Sequence, residues 1–166
     1  MKRIALIAAA LALVSCNYDI TGLAPPSDPA TETFAASLNV NISTMEKLPG
    51  GTYIKDLVVG TGDSVVATAE EATDTVVVTY SGRLKDGKLF DSGTNVKFLL
   101  PQLIPGFRAA MINMQAGGRR QAVIPSEQAY GAVSQPGPDG KINIPRQSTL
   151  IFDIQLIRFH TADLTP

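Results

Sequence analysis

Between residues 74 and 84 the chain reads DTVVVTYSGRL, and its apolar residues fall at every second position. Val76, Val78, Tyr80 and Leu84 share one face, with Gly82 completing it, while Thr75, Thr79, Ser81 and Arg83 share the other. A period of two predicts a half-buried strand. The C-terminal stretch TLIFDIQLIRF alternates in the same way, with Leu150, Phe152, Ile154 and Leu156 set against Asp153, Gln155 and Arg158. Shorter strands are predicted over 53–59, 96–100 and 119–124. The period changes once. After Pro105-Gly106, the residues Phe107, Ala110, Met111 and Met114 follow the spacing i, i+3, i+4, i+7. They form one apolar stripe on a short helix that ends before Gly117-Gly118. The pattern as a whole predicts an α+β domain, a mostly antiparallel sheet with one short helix laid on its apolar face.

The N-terminus stands outside this pattern. Lys2 and Arg3 precede an apolar run over residues 4–14, which Ser15-Cys16 closes. A positive start, a short apolar stretch and a small residue at the cleavage point describe an export signal over residues 1–15. A spanning helix needs about 20 apolar residues, so the run is too short to be one. Leu-Val-Ser-Cys at 13–16 resembles the lipobox of bacterial lipoproteins, in which the cysteine becomes the lipidated first residue of the mature chain. Cys16 is the only cysteine in the sequence, so with it lipidated no disulfide can form. The expected location is the bacterial cell envelope, lipid-anchored and facing the periplasm, and Asn17 in place of Asp favours the outer membrane. TGLAPPSDPATET, within 17–33, is rich in Pro and Thr with little to bury and reads as a tether. Residues 34–49 carry scattered apolar positions and are left open between a free extension and packing on the domain edge. The expected division is therefore leader 1–15, lipidated cysteine and tether 16–49, one domain 50–160 and a tail 161–166.

Charge and composition remove several chemistries. Setting aside Lys2 and Arg3 leaves 12 basic against 15 acidic residues, a net of about −3 with no basic cluster, which argues against a nucleic-acid partner. The single histidine, His160, lies near the C-terminal end without cysteine partners, so a zinc site of the usual ligand types is not expected, and it reads as a surface residue and not as the base of a Ser–His–Asp or Cys–His arrangement. Gly60-Thr-Gly62 lacks the third glycine of a dinucleotide fingerprint, and Gly117-Gly118 is not followed by Lys-Ser/Thr. Any catalysis here is expected to proceed without metal, nucleotide or nucleophile, and no cofactor is implied.

One polar residue is hard to place. In LKDGKLFDSG, Asp91 follows Leu89 and Phe90 directly, where a strand entering a core would continue with an apolar residue. Asp-Ser-Gly is good turn chemistry, so Asp91 is read as starting a turn. The alternative is a polar group on the wall of an apolar pocket, and this stretch alone leaves the two open.

Three separated stretches, VVVTYSGRLKDGKLFDSG, KFLLPQLIPGFRAAMINMQAGGRRQAVIPSEQAYG and INIPRQSTLIFDIQLI, together resemble the FKBP class of peptidyl-prolyl isomerases. The likeness extends over residues 53–159. It implies an FKBP-like twisted antiparallel β-sheet wrapped around one short α-helix, with a pocket between them. It further implies that Tyr80, Phe90, Asp91, Phe98, Leu103, Ile104, Phe107, Tyr130, Ile144 and Phe152 surround that pocket. Phe107 would be the floor, Tyr80, Phe90 and Phe152 the walls, and the Ile104 N–H and Tyr130 hydroxyl would bind substrate carbonyls. The implied activity is cis-trans isomerisation of X-Pro bonds in unfolded or exported polypeptides. The implied ligands include macrolide inhibitors.

The sequence departs from the family pattern at several points. Val96 stands where many members carry a pocket Phe, and Phe107 replaces a Trp, which makes the floor smaller. Gln147 and Ser134 occupy a region where others carry His. AVSQPGPDGKINIP is longer than expected and reads as a mobile flap over the site. Two other functions remain compatible with the sequence: a membrane-tethered chaperone or peptide-binding module with little turnover, and an envelope interaction protein using the fold as a scaffold.

Overall fold

The computed structural model describes residues 25–66 and 74–160. The leader, Cys16 and the tail 161–166 lie outside the described residues. Among the described residues there are eight strands: β1 (Glu46–Lys47), β2 (Tyr53–Val58), β3 (Thr75–Leu84), β4 (Leu89–Leu99), β5 (Arg119–Ile124), β6 (Gln135–Pro136), β7 (Ile142–Ile144) and β8 (Leu150–His160). Six of them form one antiparallel sheet in the order β1-β2-β5-β8-β3-β4. The helix α1 (Pro105–Met111) lies against the sheet's concave face, where Val76, Val78, Ile124, Ile154 and Leu156 meet Phe107, Ala110 and Met111. This is the α+β arrangement that the two hydrophobic periods predict.

The helix is shorter than its stripe. It stops at Met111, and Asn113 turns the chain with a φ of 61°. The cause is tertiary: the Asn113 N–H donates to Val65 O at 2.8 Å, and so leaves the helical ladder. Met114 is still buried (2% exposed), delivered by the turn rather than by helical pitch. Arg120 closes this end. The residue is 4% exposed, and its guanidinium pairs with Asp56 and donates from Nη1 to the carbonyls of Ala110 (2.9 Å) and Ile112 (3.0 Å). A cation on the last carbonyls of a helix complements both their lone pairs and the helix dipole.

The strand predicted over 96–100 is the end of a longer one, and the turn expected at Asp91 does not occur there. The chain reverses earlier, at Lys85–Lys88, where Leu84 N–H donates to Lys88 O and Gly87 takes a φ of 91°. β4 then runs through Asp91-Ser92-Gly93, but with two bulges: Gly82 pairs with Asp91 while Arg83 pairs with Leu89, and Val78 pairs with Val96 while Tyr80 pairs with Gly93. Each inserts one extra residue into β4 and breaks its alternation, which is why the sequence there reads as a turn. The expected flap over 131–145 is a small hairpin of β6 and β7, tied to β4 by Asn143 Nδ2 donating to Phe90 O at 2.9 Å.

The tether does not extend as far as Thr33. From Ser27 onward the chain is docked on the domain, with Glu32 paired to Lys85 and the Ala35 N–H donating to Lys85 O. Residues 34–45 cover the outer face of the sheet, where Leu38 packs with Tyr53, Val123 and Ile151, and Phe34, Val40, Ile42 and Met45 surround them. β1 then adds to the edge of β2. Residues 34–49, left open by the sequence, are part of the fold. Leu38→Ala is expected to lower unfolding stability by about 2–3 kcal/mol through the cavity it leaves, measured by urea denaturation.

Candidate functional site

A pocket of about 320 Å³ opens between α1 and the concave face of the sheet, lined by Tyr80, Asp91, Phe98, Gln102, Leu103, Ile104, Phe107, Tyr130 and Phe152. That volume suits a small ring or a short peptide segment. The base is a box of rings held edge to face. Phe107 and Phe152 meet at 4.9 Å and 89°, Tyr80 and Phe107 at 6.1 Å and 84°, and Phe98 closes on Tyr80 at 5.7 Å. Edge-to-face contacts fix each ring's tilt as well as burying area. Phe107, 3% exposed, is the floor.

Glycines make room for this box. A Cβ at Gly82 would stand 2.6 Å from Phe90 Cζ and 2.7 Å from Phe152 Cε1. One at Gly93 would stand 2.5 Å from Val96 Cγ2 and 3.0 Å from the Tyr80 ring. A side chain at Gly82 would have to displace these rings, and one at Gly93 would have to displace Val96 beside Tyr80.

The polar groups sit at the mouth. Tyr80 donates its hydroxyl to Asp91 Oδ2 at 2.7 Å, and Asp91 Oδ1 accepts from Ser92 N–H at 2.9 Å. The bulge at Phe90 explains the sequence's odd juxtaposition, since it lets two consecutive residues serve one site. Tyr130 projects from the loop after β5, 37% exposed. Ile104 precedes Pro105, which holds it extended (φ −57°, ψ 146°) at the start of α1. Its carbonyl accepts from Phe107 and Arg108, while among the described residues its N–H has no backbone acceptor.

Two residues expected on the pocket wall are not there. Phe90 stands behind Phe152, edge to face at 5.5 Å, and supports that ring instead of meeting the pocket. Ile144 is 5% exposed within the main core, beneath the hairpin. Gln102 is on the pocket wall without having been singled out. A polar residue between Pro101 and Leu103 in an otherwise apolar run was the available signal. Gln147 and Ser134 do not face the pocket; they hold backbone, Gln147 through Ser126 and Ser134 through the Arg146 N–H. A larger depression of about 500 Å³ lies elsewhere, lined by Val58, Thr79, Tyr80, Ser81, Gly117, Arg119, Asp153 and Gln155. The guanidinium on its wall, Arg119, is committed to Asp153. The smaller pocket combines a box of rings with hydrogen-bonding groups that have no partner among the described residues.

Both mouth tyrosines hold their protons more tightly than an ordinary phenol. Burial raises Tyr80 most, and the Asp91 carboxylate beside it adds to the effect. Tyr130 is raised by burial and then by the negative charge of Asp91. Above pH about 10 the unfolded chain therefore loses phenolic protons that the folded chain retains. The folded state binds more protons there, and stability must fall as pH rises. Urea unfolding between pH about 9 and about 11 is expected to show this decline, and Asp91→Asn to make it shallower.

A sequence profile of the family described as FKBP-type peptidyl-prolyl cis-trans isomerase matches residues 67–157. Among curated proteins, the chain is 43% identical over 93 residues to the FKBP-type peptidyl-prolyl cis-trans isomerase FkpA of Escherichia coli K12, covering 54% of this chain and 32% of that one. It is 35% identical over 119 residues to FK506-binding protein 4 of Dictyostelium discoideum, covering 69% and 30%. The match thus spans about a third of the length of these relatives. Among solved structures, a peptidyl-prolyl cis-trans isomerase from Pseudomonas syringae pv. tomato superposes with a TM-score of 0.61 at 35% identity, covering 76% of this chain and 87% of that one. The crystal structure of FkpA from Escherichia coli superposes with a TM-score of 0.59 at 34% identity, covering 71% and 52%. Fold, profile and ring-lined pocket agree, and the chain belongs to the FKBP-type peptidyl-prolyl cis-trans isomerase family.

Proposed function

We propose that the protein isomerises X-Pro bonds in polypeptides folding in the bacterial envelope, held there by a lipid on Cys16. The observation that carries the catalytic reading is the box of rings with two groups at its mouth, the Ile104 N–H and the Tyr130 hydroxyl, that have no hydrogen-bond partner among the described residues. Rotation about an amide must break its resonance, a barrier of about 18–20 kcal/mol. At 20 kcal/mol the uncatalysed rate is on the order of 0.01 per second, and each 1.36 kcal/mol removed gains tenfold. No covalent step is needed.

The proline ring of the substrate enters over Phe107, between Tyr80, Phe98 and Phe152. The twisted amide has lost much of the charge separation of the planar form, so an apolar surrounding favours it over the ground state. Ile104 N–H and Tyr130 hold the flanking carbonyls in a turned geometry, and every bond made only in that geometry lowers the barrier. Asp91 orients Tyr80 and keeps its hydroxyl engaged. A floor of Phe instead of Trp keeps an aromatic surface under the proline ring and makes it smaller. Slow X-Pro isomerisation limits folding for tens to hundreds of seconds, and exported chains meet it outside the reach of ATP.

Cis-to-trans conversion of a Leu-Pro peptide by the full chain in detergent tests the reading. The parent is expected to accelerate conversion, Tyr130→Phe to lose roughly fivefold, and Asp91→Ala roughly tenfold, with folding retained by circular dichroism. A folded parent that leaves the rate unchanged but binds unfolded chains would make the pocket a binding surface instead. The exposed Val133 and Ile142 on the hairpin would suit that role. Metabolic labelling with a radioactive fatty acid checks the anchor: label is expected on the parent and absent from Cys16→Ser.

A further inference from the structure

Among the described residues Tyr130 makes none of the ring contacts that fix the other aromatic residues of the pocket, and the backbone that carries it sets its position. That backbone is a tight turn after β5. The N–H groups of Ala129 and Gly131 donate to Ser126 O at 3.0 and 2.8 Å, and Gly131 takes a φ of 54°. Gln147 holds the turn from the other side: its N–H donates to Gly131 O at 2.7 Å, and its side-chain carbonyl accepts from Ser126 Oγ at 2.9 Å. Gln147 itself has a φ of 57°, a conformation that a residue with a Cβ keeps only when its surroundings hold it. Ser126 is therefore the hub, and it is 1% exposed.

The remaining groups of this hub are satisfied from 99 residues away. Ser27 and Ser126 exchange two hydrogen bonds: Ser126 N–H donates to Ser27 Oγ at 2.6 Å, and Ser27 N–H donates to Ser126 Oγ at 3.0 Å. Without the Ser27 hydroxyl, a buried N–H at Ser126 loses its acceptor. An orphaned buried donor costs more than the bond it made, and it regains a partner by moving toward water. The turn would move with it, and Tyr130 is on the turn. The other contacts of the N-terminal segment do not have this reach. Leu38 packs on the outer face of the sheet, and Glu32 and Ala35 bind Lys85 in the β3–β4 turn.

Resting on the isomerase reading, we propose that Ser27 is a positioning residue for the active site. Its exchange of hydrogen bonds with Ser126 fixes the Ser126–Gly131 turn and thereby Tyr130, so activity depends on the docked N-terminal segment. The segment that leads from the membrane side of the chain is thus a component of the site. An isomerase domain cut to begin at Thr31 would keep every pocket residue and still lack this support.

The test uses the full chain in detergent with Ser27→Ala and Ser27→Thr, each also combined with Tyr130→Phe. Ser27→Ala is expected to lower kcat/KM on a Leu-Pro peptide roughly fivefold, and Ser27→Thr, which keeps a hydroxyl, to restore most of it. In the Tyr130→Phe background the same substitution is expected to add little, since interacting residues do not contribute independently. The amide resonance of Gly131 and the ring resonances of Tyr130 are expected to shift in Ser27→Ala, while those of Phe107 on the pocket floor stay in place. Should Ser27→Ala not fold, Ser27→Cys, whose sulfur is a poorer acceptor for the Ser126 N–H, is read by the same resonances. Unmoved Gly131 and Tyr130 resonances, or an equal fold-loss with and without the Tyr130 hydroxyl, would overturn the proposal. A parent chain without isomerase activity would sink the enzymatic reading on its own, and the resonances would still decide whether Ser27 holds the turn.

Discussion

Phe107 and Phe152 meet edge to face at 4.9 Å, and that contact is where helix and sheet are locked together. Everything in the pocket is referred to it. Phe152 is steadied from behind by Phe90, Tyr80 stands against Phe107, and Phe98 against Tyr80. A tilted pair of rings has a preferred orientation that aliphatic packing lacks, so the box sets direction as well as burial. The glycines at 82 and 93 follow from the same constraint, because the space where their Cβ atoms would stand is taken by these rings and by Val96.

The second element of the design is a strand that refuses to alternate. A regular β4 would send Phe90 and Asp91 to opposite faces of the sheet. The bulge between the Gly82–Asp91 and Arg83–Leu89 pairs releases them from that rule. Phe90 can then brace the ring box while Asp91 takes the Tyr80 hydroxyl at the pocket mouth. Local irregularity of the backbone here has a chemical result: a carboxylate beside an apolar cavity, with both oxygens engaged.

The opposite face of the sheet carries a different cost. Val123 and Ile151 stand on the side that strict alternation assigns to solvent, yet they are 0% and 3% exposed. Residues 34–45 cover them, and the buried Gln121 side chain donates to Leu38 O at 2.9 Å, which gives its amide a partner beneath that cover. The continuous apolar runs Ala122-Val123-Ile124 and Leu150-Ile151-Phe152 are what a sheet covered on both faces looks like in sequence.

How much of this was legible depended on range. The alternation in DTVVVTYSGRL and TLIFDIQLIRF and the apolar stripe from Phe107 marked the long strands and the helix, because side-chain direction repeats with the local backbone period. The spacing of Tyr80, Asp91, Phe107 and Tyr130 carried the family likeness, and the pocket brings those four together. Local period could not show the bulges, which are decided by the partner strand; nor the early end of α1, which Val65 O decides by capturing Asn113; nor the retreat of Phe90 and Ile144 from the pocket wall. Least of all could it show the docking of Ser27 on Ser126, in a stretch whose composition reads as a tether. Two serines 99 residues apart leave no periodic trace, and their bond exists only once the sheet has brought one to the other.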